Sequence, residues 1–134
     1  MLTKIAVSTS KKEEFIDITD RVRAAVREAG LREGAVLVYV PHTTAGVTIN
    51  ENADPSVVHD MLLALSKAFP DRAEFRHGEG NSTGHVKSSV IGCSEQVIVA
   101  DGRLVLGTWQ GIYFCEFDGP RSRSCYIKAM QSQF

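Results

Sequence analysis

The sequence predicts an α+β domain in which strands outnumber helices and pair mainly in antiparallel fashion. Segments that alternate apolar and polar residues, a pattern typical of half-buried strands, recur along the 134-residue chain. Only two segments show the spacing of three and four residues that marks an amphipathic helix. Runs of strands with few helices favour an α+β fold over an alternating α/β sheet. At this length we expect a single domain over residues 1–134.

The first predicted elements are two strands and a short helix. Lys4–Thr9 and Glu14–Thr19 both alternate apolar and polar residues, which predicts a hairpin or two neighbouring strands. Asp20 is the expected N-cap of the helix, and Gly30 is its expected stop. The apolar positions of this helix are Val22, Ala25, Val26 and Ala29.

The middle of the chain predicts two more strands and the second helix. Gly34–Val40 is a nearly continuous apolar run, typical of a buried strand, and Thr44–Glu51 resumes a strand-like pattern. Asp54, followed directly by a proline, is a strong helix start, and Pro70 is expected to end that helix. Its apolar stripe consists of Val58, Met61, Leu62, Leu65 and Phe69.

The last third of the chain predicts a polar loop followed by strands. Arg76–Ser89 is rich in glycine, serine and histidine, and we expect it to be irregular. The dipeptide Asp101-Gly102 predicts a type I′ hairpin turn between two of the strands that follow. The expected strand segments are Val90–Ser94, Glu95–Ala100, Arg103–Trp109, Gly111–Asp118 and Ser124–Gln131.

Composition excludes several classes of function. The formal net charge is −1, which provides no general basic field for nucleic acid. No apolar run is long enough to span a membrane, and the N-terminal segment lacks the long apolar stretch of a signal peptide. The three cysteines form no CxxC pair and are expected to be reduced thiols. We therefore expect a cytoplasmic protein with neither nucleic acid nor a membrane as its partner.

The histidines are the first candidates for a functional site. His42 follows a buried strand, whereas His77 and His85 flank the glycine-rich segment. Imidazole is a common metal ligand, and three imidazoles with one open position form a catalytic zinc site. The glycines would let the loop fold tightly enough to bring these rings to one ion. The alternative is that these three residues are surface or hydrogen-bonding histidines. The fourth histidine, His59, lies at the edge of the second helix's apolar stripe.

Carboxylates near the histidines are candidate ligands or bases. Glu51 ends the strand that begins beside His42, and Glu79 lies inside the polar loop. Asp54 is explained by helix capping, and Asp60 is expected on the solvated face of the second helix.

Two short segments suggest phosphate binding. Lys87, Ser88 and Ser89 stand together after His85, and Arg121 lies in a basic turn with Arg123. Ammonium, guanidinium and hydroxyl groups suit phosphate oxygens. The alternative is that these side chains only solubilise the surface.

Four motifs stand in order between about Thr43 and Arg123, namely HTTAGVTINENADP, HDM, RHGEGNSTGHVKSS and GRLVLGTWQGIYFCEFDGPR. Taken together, they resemble the YjbQ-like family. Some members of this family are described as secondary thiamine-phosphate synthases. The resemblance implies an α+β fold with a mixed, curved sheet, a homotrimer, and a metal-binding pocket built from histidines.

The resemblance also implies roles for individual residues. His42, His77 and His85 match the three motif histidines expected to bind the metal, whereas His59 of HDM is assigned to the surroundings of the site. Asn50, Glu51 and Asp60 are matching residues expected to line the pocket, and the GTWQ and DGPR motifs add Trp109, Gln110 and Arg121 as further matches.

These observations lead to an expected function with open alternatives. We expect a metal-dependent enzyme that acts on small phosphorylated metabolites. The resemblance implies its sharpest form, in which a pyrimidine methyl diphosphate is joined to a thiazole phosphate with release of diphosphate. Zinc is the expected ion and magnesium the alternative. A zinc-dependent hydrolase and a non-catalytic trimer that binds a metal or a phosphometabolite are the other readings. The expected catalytic residues are Glu51, Asp60 and Glu79, and the expected phosphate-binding residues are Asn50, Lys87, Ser88, Ser89 and Arg121.

Overall fold

The computed structural model describes residues 1–133 as three helices and two β-sheets. Phe134, the last residue of the predicted domain, lies outside the described residues. The elements in chain order are β1 (Leu2–Ser8), β2 (Glu14–Asp17), α1 (Thr19–Ala29), β3 (Gly34–Tyr39), β4 (Ala45–Glu51), α2 (Pro55–Ala68), α3 (Ser82–Ile91), β5 (Ser94–Ala100), β6 (Arg103–Leu104), β7 (Gln110–Glu116) and β8 (Ser122–Gln131).

The predicted α+β class is confirmed. One sheet has five strands in the order β1-β8-β3-β5-β6, and the other has three in the order β2-β7-β4. Every strand pair formed by residues 1–133 is antiparallel, so the sheet expected to be mixed contains no parallel pair there. Of the three helices in that range, none is both long enough and apolar enough to cross a bilayer.

The core consists of two apolar layers on either side of the three-stranded sheet. Alternate residues of the five-stranded sheet, such as Val36 and Val38, pack with α1 and with Val47 and Phe114 of the three-stranded sheet. On the other face of the smaller sheet, Tyr113, Cys115 and Phe117 contact α2 and α3 through Val58, Leu65 and Ile91. The smaller sheet is thus covered on both faces, which explains why the whole of β7 after Gln110 is buried.

The outer face of the five-stranded sheet is covered by no helix of the described chain. Leu2, Tyr39 and Ile98 are exposed there, and Leu37 and Tyr126 line a shallow apolar groove on the same face. Exposed apolar surface of this kind is typical of an interaction surface.

Most of the predicted turns and caps are confirmed. Asp54 accepts a hydrogen bond from the Ser56 amide at the start of α2, and Gly30 ends α1 in the left-handed conformation. Asp101 and Gly102 both have positive φ, as the predicted hairpin turn requires. The predicted N-cap of α1 is wrong by two residues, since the helix begins at Thr19 and its cap position is Ile18.

The largest departure from prediction is α3. The polar segment expected to be irregular is helical from Ser82 onward, and the strand expected at Val90–Ser94 is wrong because α3 continues to Ile91. This helix lies very close to β4. A Cβ atom placed on Gly46 would stand 2.5 Å from the carbonyl oxygen of Gly92, so only glycine permits this approach.

Candidate histidine site

The three histidines predicted as metal ligands line one cavity of about 390 Å³. His42 comes from the β3–β4 connection, His77 from the α2–α3 connection, and His85 from the first half of α3. Glu79, Asn81 and Arg121 line the same cavity. The three side chains therefore share one cavity, although His85 is held by a helix rather than by a loop.

Backbone hydrogen bonds join the β3–β4 connection to the residues after α3 and to the end of β7. The Val40 amide donates to the Cys93 carbonyl at the end of α3, and the Phe117 amide donates to the Thr44 carbonyl. Because β4 pairs with β7, Ala45 stands opposite Glu116, which brings the β7–β8 loop beside the β3–β4 connection. Strand pairing thus places Arg121 near residues that are far away in sequence.

A buried ion pair forms the floor of the cavity. Arg123 Nε donates to Glu116 Oε1 at 2.8 Å, and Arg123 Nη2 donates to Glu116 Oε2 and to Thr44 Oγ1. Glu116 also accepts hydrogen bonds from Thr9 Oγ1 and the Asp118 amide. Burial alone would raise the pKa of Glu116, but these donors outweigh burial and hold its pKa below the usual range. The floor is therefore a fixed and internally neutralised element.

His42 is a neutral, hydrogen-bonded side chain at the edge of this floor. Its Nε2 accepts a hydrogen bond from the Ser124 amide at 2.9 Å, which requires Nε2 to be unprotonated. Burial lowers the pKa of His42, and the positive charge of Arg123 lowers it further. With Nε2 engaged, the remaining proton of the neutral ring lies on Nδ1.

His77 and His85 form a close pair on the other side of the cavity. Their ring centroids are 5.2 Å apart and their planes are almost perpendicular, at 89°. Glu79 Oε1 lies 3.9 Å from His77 Nε2, so a carboxylate stands beside one of the two imidazoles.

Next to the pair, one buried acceptor lacks a partner. Asn81 Nδ2 donates to Asp118 Oδ2 at 2.7 Å, and a carboxylate can only accept, so this bond fixes the orientation of the amide. Asn81 Oδ1 is buried and has no hydrogen-bond partner among residues 1–133. Arg121 binds the same Asp118 through Nη2 at 2.9 Å, and its exposed guanidinium borders the cavity. A donor from a bound molecule would satisfy the free amide oxygen.

The histidine pair fits two positions of a metal site. Two imidazoles bound to one tetrahedral ion at M–N distances of about 2.0–2.1 Å place their centroids roughly 5 Å apart, and His77 and His85 stand 5.2 Å apart. His42 does not complete the set as it stands, because its Nε2 lone pair is used by the Ser124 amide. Within residues 1–133, no three histidine, cysteine, aspartate or glutamate side chains are grouped closely enough to hold an ion in this arrangement. The three-histidine site stays a prediction that requires the His42 ring to reorient.

Three residues that the resemblance places in the pocket, Asn50, Glu51 and Asp60, lie away from the cavity, and so do the motif residues Trp109 and Gln110. Asn50 and Glu51 are at the far end of β4. There, Asn50 Oδ1 accepts a hydrogen bond from the Glu51 amide, and the Glu51 carbonyl accepts one from the Tyr113 hydroxyl. Asp60 is exposed on α2 and pairs with His59 Nδ1 at 3.0 Å. Of the three expected catalytic carboxylates, only Glu79 lines the cavity with the histidines.

Of the residues expected to bind phosphate, only Arg121 lines the histidine cavity. Lys87 is buried and forms an ion pair with Glu13, with Ser66 Oγ nearby at 3.5 Å. Ser88 donates its hydroxyl to the Ala45 carbonyl. Ser89 is exposed. Ser88 and Ser89 both line a neighbouring cavity, which His42 and His85 also border. Arg121 borders the histidine cavity itself.

Sequence reasoning missed three residues of the cavity's polar framework. Asn81 lies within the polar segment that was expected to be irregular, and Glu116 and Asp118 lie in an apolar strand and at its end. Their roles depend on contacts such as Arg123 with Glu116 and Asn81 with Asp118, which span 7 and 37 positions. A carboxylate inside the apolar segment GIYFCEFD was the one available signal, since an unpaired charge is rarely buried.

Comparison with known proteins gives a consistent result along the chain. Residues 3–132 match the family described as UPF0047 protein YjbQ-like. The UPF0047 protein YugU of Bacillus subtilis is 58% identical over 131 residues, covering 97% of this chain and 99% of the relative. A UPF0047 protein of Methanocaldococcus jannaschii is 54% identical over 128 residues, covering 96% and 93% of the two chains.

A solved structure shows the same fold. The crystal structure of a YjbQ/UPF0047-family protein from Clostridium acetobutylicum has a TM-score of 0.94 at 52% identity, and the match covers 96% of this chain and 99% of that one. The match extends through the elements that carry the histidine cavity. The chain belongs to the YjbQ-like UPF0047 family.

Proposed function

We propose that the chain is a metal-dependent enzyme that acts on a small phosphorylated molecule in the histidine cavity. The observation that carries this proposal is the convergence of His42, His77 and His85, from three separate segments, beside Arg121 in one cavity. Structural histidines do not need to share a cavity with an exposed guanidinium and an unpartnered buried amide oxygen.

The phosphate group is expected to bind at Arg121. Its guanidinium is already oriented by Asp118 through two hydrogen bonds, from Nε to the carbonyl at 2.8 Å and from Nη2 to the carboxylate at 2.9 Å. An oriented guanidinium loses less entropy when it binds a phosphate oxygen. Asn81 Oδ1 is then the acceptor for a hydroxyl or amine elsewhere on the substrate, because it has no donor in the described chain.

His77 and His85 are the residues that would hold the ion, and Glu79 is the candidate base. A divalent ion bound there supplies positive charge that offsets the negative charge developing on a phosphate oxygen. Glu79 stands beside His77 and can take a proton from an attacking hydroxyl or water. The neutral His42 presents an Nδ1 proton, which suits a donor to the leaving group.

Two reactions remain candidates within this proposal. In the synthase reaction implied by the resemblance, the C–O bond to the diphosphate breaks and the thiazole nitrogen takes the methylene carbon. Release of a diphosphate needs several cations, yet Lys87 is paired with Glu13 inside the protein. Hydrolysis of a phosphate ester needs fewer cations and one base, so the single exposed guanidinium and Glu79 favour hydrolysis as the second candidate.

A paired assay tests the proposal. Wild type, Glu79→Gln and Arg121→Ala are supplied with zinc or magnesium and assayed for thiamine phosphate formation and for phosphate release from small phosphate esters. We expect Glu79→Gln to lower kcat and Arg121→Ala mainly to raise KM, each by about tenfold or more. Glu74→Gln and Arg72→Ala remove equivalent charges from the exposed segment before His77 and serve as controls.

The non-catalytic alternative has a different signature. If the chain only binds a metal or a phosphometabolite, no turnover appears in either assay, and Glu79→Gln leaves ligand affinity unchanged.

The homotrimer implied by the resemblance stays a prediction. The outer face around Tyr39 and Tyr126 is the surface that we expect to mediate it.

A further inference from the structure

We propose that the chain has a second anion site, a cleft of about 640 Å³ that binds a small molecule carrying a diphosphate or triphosphate group. The cleft lies between α1, the α1–β3 connection and the β5–β6 hairpin. Four guanidinium groups and one carboxylate line it. These side chains are Arg23, Arg27, Arg32, Arg103 and Asp101.

One of the four guanidiniums is fixed by the hairpin turn. Arg32 Nη2 donates to Asp101 Oδ1 at 2.6 Å, and the Arg32 carbonyl accepts the Gly102 amide at 3.0 Å. A Cβ atom on Gly102 would lie 3.0 Å from Arg32 Nη1, so the glycine makes room for this guanidinium to lie over the turn. The turn is held in place by Glu33, whose Oε1 accepts the Asp101 amide.

Two guanidiniums of the cleft are available for a ligand. Arg27 and Arg103 make no ion pair or side-chain hydrogen bond with any part of the chain that the structure describes. Arg23 forms an ion pair with Asp20, which is almost fully exposed and lies outside the cleft. Two guanidinium groups that line the same cleft and form no ion pair with a carboxylate can bind the oxygens of adjacent phosphate groups.

The surroundings favour a small polyanion over a nucleic acid. The cleft is bounded by α1, the α1–β3 connection and the β5–β6 hairpin, and its floor contains Val26 and Leu104, whose apolar atoms suit an organic group attached to the phosphates. The whole chain carries a net charge of −1, so the positive charge is local. A nucleic-acid surface needs a basic stripe that follows many backbone phosphates.

The cleft is separate from the histidine cavity. Arg32 precedes β3 and His42 follows it, so the two sites lie at opposite ends of a strand of six residues, which spans roughly 20 Å. No residue lines both cavities. This proposal therefore does not depend on the function proposed for the histidines.

Calorimetric titration and NMR test the assignment. Inorganic diphosphate, inorganic triphosphate, ATP and orthophosphate are titrated without metal ions into wild type, Arg27→Ala/Arg103→Ala, and the charge-matched control Lys67→Ala/Arg72→Ala. We expect one diphosphate or triphosphate per chain, with affinity reduced about tenfold or more in the Arg27/Arg103 variant and unchanged in the control. If ATP binds more tightly than inorganic triphosphate, the floor of the cleft also contacts the organic group of the ligand. If the two bind equally, the cleft recognises the phosphate groups alone.

Amide shifts locate the ligand independently of the variants. In wild type, triphosphate should shift the amides of Asp101, Gly102 and Leu104, and His85→Ala should bind it as well as wild type. No binding, equal loss in the control variant, or shifts confined to the histidine cavity would overturn the proposal. A single-stranded RNA that binds more tightly than triphosphate and competes with it would assign the cleft to nucleic acid instead.

Discussion

Arg123 and Glu116 form an ion pair that is almost completely removed from solvent, with exposed side-chain fractions of 6% and 0%. The guanidinium contacts both carboxylate oxygens, and Thr44 and Thr9 complete the hydrogen bonding of the two groups. The pair lies beneath the histidine cavity and ties β7 to β8. A buried pair of this kind is costly to break because the remaining charge has no counter-ion.

We predict that Glu116→Gln lowers the free energy of unfolding by about 3–5 kcal/mol, since Arg123 would keep its charge without a partner. Arg23→Ala, which breaks an exposed pair with Asp20, should cost about 0–1 kcal/mol. Urea denaturation of both variants and wild type measures the difference. Equal losses in the two variants would show that the buried pair contributes no more than a surface pair.

Stability should fall as the pH drops below the ordinary histidine pKa of 6.5, partly because of His42. Its pKa is lowered in the folded protein, so the unfolded chain takes up the proton first as the pH falls. The stabilising contribution of neutral His42 is therefore present above pH 6.5 and is lost as the pH falls toward the folded-state pKa.

The variant His42→Asn should flatten this part of the stability profile. Urea unfolding of wild type, His42→Asn and the exposed-site control His59→Asn is measured from about pH 5 to about pH 8. We expect the slope between neutral and acidic pH to decrease in His42→Asn and to persist in His59→Asn. An unchanged slope in His42→Asn would contradict the lowered pKa.

Lys87 is predicted to matter for stability rather than for phosphate binding. Its side chain is 5% exposed and pairs with Glu13, which is 74 positions away. Lys87→Met should lower the free energy of unfolding by about 3 kcal/mol because it leaves the partly buried Glu13 without its partner. The affinity of the histidine cavity for phosphate should stay within about twofold of that of wild type, which calorimetric titration checks. Normal stability together with lost phosphate binding would restore Lys87 to the site.

Gly46→Ala should disturb the position of α3. The added methyl group would meet the Gly92 carbonyl oxygen at 2.5 Å, so the helix carrying His85 must shift. We expect a loss of about 1–3 kcal/mol in unfolding free energy, which is typical of overpacking. Gly78→Ala is the control, since nothing lies within 4 Å of the added atom there. A Gly46→Ala variant as stable as the control would mean that α3 is free to move outward.

Local signals in the sequence predicted much of the fold. Asp54 with its following proline, Gly30 and the Asp101-Gly102 turn are each determined by the conformation of one or two residues, and all three are found as expected. The helix α3 could not be predicted in this way. Its segment STGHVKSS has weak helix formers and no apolar stripe, and the helix depends on close packing against Gly46.

The candidate site was predictable only in part for a similar reason. The chemistry of His42, His77, His85 and Arg121 could be read from their residue types, and these side chains share one cavity. The partners of the candidate side chains come from distant segments: Ser124 orients His42, and Glu13 neutralises Lys87, which lies outside the cavity. Contacts of that kind depend on the register of the sheets, which local sequence patterns do not determine.

Metal binding by purified protein tests the central claim most directly. Zinc is titrated into metal-free wild type, His42→Ala, His77→Ala, His85→Ala and the control His59→Ala, with the amount bound measured by elemental analysis after dialysis. The account predicts one equivalent of zinc per chain in wild type and His59→Ala, and loss of that equivalent in both His77→Ala and His85→Ala. Retention of zinc in His42→Ala would limit the ligand set to the close pair and leave His42 as a proton donor. Equal zinc content in wild type, His77→Ala and His85→Ala would contradict the account.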